Sequence, residues 1–130
     1  MPAKVSSKLP RKQRKGRYTA TAHNRRKLIS AHLCGDSGND LIHQYNCRSL
    51  PVIKGDLVRV VRGDEKIRGK EAVVTSVFAR NLTIGLDGIN VKKADGTEVV
   101  RKISPSNVVI IKLNLSDPRR KKKLETLKEG

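Results

Sequence analysis

The segment Val52-Ile53-Lys54-Gly55-Asp56-Leu57-Val58-Arg59-Val60-Val61-Arg62-Gly63 places a turn signal, Lys54-Gly55-Asp56, directly before a run of strand character. In an extended chain Val58 and Val60 point to one face, while Leu57, Arg59 and Val61 point to the other. Gly63 ends the run with a residue that permits a sharp reversal. Residues 72–78 can then return Val74 and Val77 against the first strand. Residues 82–86 alternate cleanly up to an Asp87-Gly88 turn. Residues 91–93 and 97–103 flank the hairpin signal Asp95-Gly96, and residues 107–113 follow Pro105. Five or six short strands joined by tight turns predict a small closed or nearly closed β-barrel over residues 50–115, antiparallel throughout.

The flanks differ in composition. Residues 1–35 contain Lys4, Lys8, Arg11, Lys12, Arg14, Lys15, Arg17, Arg25, Arg26 and Lys27 and no acidic residue. So few apolar groups cannot offset chain entropy, and the segment is expected to order only on a polyanion. Residues 20–33 have helix propensity, with Ala22, Leu28, Ile29 and Leu33 as an apolar stripe. Gly35, Ser37, Gly38 and Asn39 predict a break, followed by a weak helix containing Leu41, Ile42 and Tyr45. Residues 1–49 therefore read as a basic, partly helical extension. Residues 116–130 read as a basic C-terminal helix, capped by Ser116, with Pro118 in its first turn and cations on all sides from Arg119, Arg120, Lys121, Lys122 and Lys123.

The chain of 130 residues has room for one small domain with extensions, and its 29 Lys and Arg against 12 Asp and Glu leave a net charge of +17. Such an excess repels itself, which makes a polyanion the natural partner. No stretch approaches the roughly 18 apolar residues of a spanning helix, and Lys4, Lys8 and Arg11 interrupt any signal-peptide core. Cys34 and Cys47 are then expected as reduced thiols in a cytoplasmic protein.

Catalytic and cofactor chemistry finds little support. The phosphate-loop lookalike Gly63-Asp64-Glu65-Lys66-Ile67-Arg68-Gly69-Lys70-Glu71 has the wrong glycine spacing, and Glu71 stands where magnesium needs a hydroxyl. Asp64 and Glu65 inside the loop would also repel phosphate. His32, Cys34, His43 and Cys47 are zinc-type ligands without a paired half-site, and unliganded thiols and imidazoles are the simpler reading. Nothing marks an orienting partner for a Cys and His nucleophile pair. The expectation is therefore no enzyme, no cofactor, no metal and no small-molecule substrate. The aromatics Tyr18, Tyr45 and Phe78 are too few and scattered for a single-strand stacking platform, so folded RNA gripped through its phosphates is the favoured ligand.

The run from Val52 to Gly63, continued to Val77, resembles the KOW motif shared by ribosomal proteins and transcription elongation factors. Pro10-Arg11-Lys12-Gln13-Arg14-Lys15, Ser30-Ala31-His32-Leu33, Arg48-Ser49-Leu50-Pro51-Val52, Val91-Lys92-Lys93-Ala94-Asp95-Gly96-Thr97 and Pro105-Ser106-Asn107-Val108 select between them. Together they resemble the archaeal large-subunit ribosomal protein family numbered twenty-four in bacteria and archaea and twenty-six in eukaryotes. A KOW elongation factor subunit is the alternative. The resemblance departs from the family at Ala72, where a glycine is usual, and in a longer turn after Asp64.

That resemblance implies a mainly β fold, an SH3-like (KOW) barrel with basic, partly helical extensions, bound to large-subunit (23S) rRNA near its 5′ end. It further implies early assembly, a place near the polypeptide exit tunnel, neighbouring large-subunit ribosomal proteins as partners, and no membrane insertion. The cations expected on RNA are Lys8, Arg11, Lys12, Arg14, Lys15, Arg17, Arg25, Arg26, Lys27, Arg48, Lys54, Arg62, Lys66, Arg68, Lys70, Lys92, Lys93, Arg119, Arg120, Lys121 and Lys122, together with His23. Gly55, Gly63, Gly69 and Gly96 are expected to form the turns.

Overall fold

A computed structural model describes residues 6–36 and 38–129. Lys4 and Ser37, read above as part of the basic extension and of a loop, lie outside the described residues.

Two short helices come first, α1 (Pro10–Tyr18) and α2 (Ala22–Leu28). Strand β1 (Ser30–Leu33) follows directly, then the β2 (Gly35–Asp36) and β3 (Asn39–Asp40) hairpin, α3 (Leu41–Tyr45) and β4 (Ser49–Pro51). The remaining strands are β5 (Leu57–Val60), β6 (Glu71–Phe78), β7 (Thr83–Lys92), β8 (Glu98–Ile103) and β9 (Val108–Lys112). Helix α4 (Pro118–Glu129) closes the chain.

The expectation of a mainly β, closed SH3-like barrel is not met. The architecture is mixed α/β, with an open seven-stranded sheet ordered β4-β1-β9-β5-β6-β7-β8 and four α-helices among the described residues. A barrel closes only when its terminal strands pair. Here the free edge of β9 is taken by β1, β4 extends the sheet beyond it, and the far end is β8. The paired β7–β8 hairpin, with Val91 opposite Val99 and Asn90 opposite Val100, leaves Val91, Val99 and Val100 exposed.

The pairing is also not antiparallel throughout, because β1 runs parallel to β9, with His32 opposite Val109 and Leu33 opposite Ile110. Ile29, Ala31 and Leu33 alternate at period two, so an extended chain turns all three into the core, where a continued helix would have scattered them. The helix read over residues 20–33 accordingly stops at Leu28.

Asp87-Gly88 is not a turn between strands. Strand β7 runs through it, and the register against β8 shifts between Gly85 and Asn90, with Gly88 at φ 75°. Extra residues on one strand bulge outward and sharpen its twist.

One hydrophobic cluster runs through the molecule, from Ile29, Ala31 and Leu33 through Val58, Val60, Val74, Ile84, Leu86 and Ile110 to Leu124. Residues before position 50 and after position 115 thus share the core of the central strands. The longer turn after Asp64 is accommodated as a helical turn, with the Ile67 and Arg68 amides donating to the Asp64 carbonyl and Ile67 buried.

Candidate nucleic-acid interface

Helix α1 begins with Pro10, whose fixed φ suits a first helical position, and has no acidic residue in its first turn. It buries none of its side chains. Arg11, Lys12, Arg14, Lys15 and Arg17 all lie exposed, as does Lys8 before it. Thr21 caps α2 through its hydroxyl, which accepts from the Asn24 amide. His23, Arg26 and Lys27 are exposed on α2.

Arg25 behaves differently. Its guanidinium donates to the carbonyls of Ala20 (3.0 Å), Arg80 (3.1 Å) and Tyr18, tying the end of α1 and the start of α2 to the turn between β6 and β7.

At the other end of the chain, Asp117 rather than Ser116 caps α4. Its carboxylate accepts from the Arg119 amide and its carbonyl from the Lys121 amide. The helix is not cationic on every side. Leu124 is buried, Leu127 packs against the core, and Arg120 sits one turn before Leu124 on that same inward stripe.

Arg120 meets Asp56 in a bidentate pair, Nη1 to Oδ1 at 2.6 Å and Nη2 to Oδ2 at 2.9 Å, and also donates to the Asn114 and Pro51 carbonyls. Asp56 is fully buried and accepts further bonds from the Ile53 and Asn114 amides. Every carboxylate lone-pair direction thereby finds a donor, which is the condition for keeping a charge inside. The outer surface of α4 carries Arg119, Lys121, Lys122 and Lys123, all exposed.

The turn at residues 54–56 joins this network. Gly55 has φ 99°, and a Cβ there would overlap the Asn114 amide nitrogen, which donates to the Lys54 carbonyl. Lys54 itself is exposed. Gly63, Gly69 and Gly96 also take positive φ.

Arg62, Lys66, Arg68 and Lys70 line the exposed loop between β5 and β6, where Arg68 donates to the Gly63 carbonyl. Asp64 in that loop is held below the ordinary carboxylate pKa by the Lys66 backbone amide and by Arg101. Lys92 and Lys93 are exposed at the tip of the β7–β8 hairpin, and Arg48 is exposed before β4. Arg59 pairs with Asp36 and Glu71.

The potential metal ligands are dispersed in role. Cys34 is buried, the Cys47 thiol donates to the Ser49 carbonyl, and His43 pairs with Asp40. Among the described residues no group of three or more His, Cys, Asp or Glu is placed to hold a metal ion. No helix among them is long and apolar enough to cross a membrane.

Sequence reading missed Arg80, Asn81 and the use of Tyr18, which line one cleft with Arg14, Arg17 and Leu82. No local pattern could have found it, because its walls lie far apart in sequence and are tied together through Arg25.

An open sheet that turns its apolar face to one core, and displays cations on both terminal helices and on its loops, defines a small, strongly basic structural protein. Residues 7–126 match the model of a ribosomal protein family described as L26 in eukaryotes and as the L24 type in archaea. The chain belongs to that family. It is 50% identical over 121 residues to the large ribosomal subunit protein uL24 of Methanospirillum hungatei, covering 93% of this chain and 96% of that one. The uL24 of Methanoculleus marisnigri is 46% identical over 121 residues, covering 93% and 95%. That of Methanosarcina barkeri is 50% identical over 114 residues, covering 88% and 93%.

Proposed function

We propose that this chain is a structural constituent of the large ribosomal subunit, holding 23S rRNA through phosphate contacts. The observation that carries the reading is α1, a helix of nine residues with no buried side chain and no acidic residue in its first turn. Short helices are marginal by themselves, and like charges along one surface destabilise them further. A polyanion supplies the missing stabilisation, and membership of a ribosomal family supports large-subunit rRNA as that polyanion.

In this reading the sheet sets orientation, and the basic segments within residues 1–49 and 116–130 reach into RNA with the loop cations of residues 54–70. Arg25 and Arg120 act inside the protein, holding those segments in place. Neighbouring large-subunit proteins are the other partners, the compartment is the cytoplasm, and the role is structural rather than enzymatic. Assembly is early, near the 5′ end of the rRNA and close to the polypeptide exit tunnel.

Binding of the full chain to in vitro transcribed 23S rRNA tests this. If ~6–10 phosphates are neutralised, affinity falls by about 10³–10⁵ between ~50 and ~200 mM salt. A flat salt response refutes phosphate recognition. Co-sedimentation with RNA polymerase instead of large subunits would favour the elongation-factor alternative.

A further inference from the structure

The end of α1 and the turn between β6 and β7 enclose an open cleft of about 430 Å³ lined by Arg14, Arg17, Tyr18, Arg80, Asn81 and Leu82. Its volume lies within the range of small-ligand sites. Tyr18 is 75% exposed, far more than a ring kept for packing. Its backbone and that of Arg80 are fixed to each other through the one guanidinium of Arg25. The turn is held by the Asn81 amide on the Phe78 carbonyl and the Leu82 amide on the Ala79 carbonyl. Leu82 adopts a left-handed conformation, φ 55°, while buried. A bulky residue held there stores strain that the surrounding bonds must sustain, a feature concentrated at binding sites.

The lining combines three guanidinium groups, one exposed ring, one amide and an apolar floor. A free inorganic anion would use the cations and have no use for the ring. A paired base inside an RNA helix cannot reach the ring, because the A-form major groove is too deep and narrow. An unstacked base can use every part: its face on the ring or on a guanidinium plane, its edge on an amide that both donates and accepts, its phosphates on the cations.

We propose that this cleft takes one unstacked nucleotide of the bound RNA, its base stacked on Tyr18 and its flanking phosphates held by Arg14, Arg17 and Arg80. The proposal rests on the reading of the chain as an rRNA-binding protein and adds a specific contact to a general electrostatic one.

The chain contains no tryptophan, so Tyr18→Trp makes a single fluorescent reporter in the cleft, and Tyr18 is exposed enough for substitution without loss of fold. On titration of the full chain with in vitro transcribed 23S rRNA, emission of Tyr18→Trp is expected to be quenched and shielded from acrylamide. Tyr18→Ala is expected to weaken binding about 5- to 150-fold, the loss of one stacked base, with the salt slope unchanged. Tyr18→Phe retains affinity within about twofold, since stacking needs only the ring. Arg80→Ala instead lowers the salt slope by roughly one phosphate. Steep salt-dependent binding by the wild type, with Tyr18→Ala equally tight or the reporter unchanged at saturating rRNA, overturns the cleft proposal alone. Wild-type binding without salt dependence overturns the rRNA reading and the cleft with it.

Discussion

Replacing Asp56 by asparagine isolates the internal anchor of the C-terminal helix. The substitution preserves shape but turns one acceptor oxygen into an amide donor. That donor faces the Ile53 and Asn114 amides or the Arg120 guanidinium, all of which donate to Asp56. Arg120, whose side chain is 10% exposed, then stays inside without its counter-charge. Breaking a buried pair by removing one partner costs about 3–5 kcal/mol, against the roughly 5–15 kcal/mol that holds a domain folded. At about 3–5 °C per kcal/mol for a chain of this size, the melting midpoint falls by about 10–25 °C. Arg120→Met is expected to lose a similar amount, because it leaves the carboxylate desolvated and uncompensated. The double variant Asp56→Leu with Arg120→Met regains part of the loss, since an apolar pair carries no desolvation cost. Recovery stays incomplete, because the Ile53 and Asn114 amides lose their acceptor. Thermal and urea unfolding followed by circular dichroism measures the size of the effect, and amide hydrogen exchange locates it in α4. A loss below about 1 kcal/mol for Asp56→Asn, with α4 exchange unchanged, would refute the view that this pair pins the helix to the sheet.

Gly55→Ala is expected to destabilise more than Gly96→Ala. Both sites have positive φ, worth about 1–2 kcal/mol against a Cβ, but only at Gly55 does that carbon also strike Asn114. Denaturant midpoints of the two variants decide the order. Leu124→Ala is expected to cost about 2–5 kcal/mol and to expose residues 118–129 to protease before the sheet unfolds. For acid stability, Asp95 is held below its ordinary pKa of 3.8 by the Thr97 side chain and amide. A depressed carboxyl stabilises the fold above that value and loses its contribution as pH falls through the lower folded value. Asp95→Asn therefore lowers stability near neutrality, where the charged carboxylate contributes, converges with the wild type in acid and so shallows the acid limb, and a carboxyl NMR titration of Asp95 checks the direction.

Strands 57–60, 71–78, 98–103 and 108–112 were legible because β-branched residues cluster there between turn signals, and in 57–60 and 108–111 burial alternates as one sheet face demands. Helix α4 was legible from its proline and its polar start, although the cap proved to be Asp117. Residues 29–33 were misread because apolar positions in so short a run fit either a helical stripe or a strand face, and only the open edge of β9 chooses. The closed barrel failed for the same reason: alternation identifies a strand, but not whether its outer edge meets the far end of the sheet or another strand.

What the residues determined by themselves was local or summed over the chain: the +17 charge, the strand periodicity, the turn glycines and the likeness to a ribosomal family. Tertiary structure decided which cations stay outward. Arg120 and Arg25 lie in basic runs indistinguishable from their neighbours, yet one is drawn to a carboxylate 64 positions away and the other to a carbonyl 55 positions away. An acceptor takes whichever donor the fold brings within reach, and that proximity is a property of chain topology, which no local pattern of charge records.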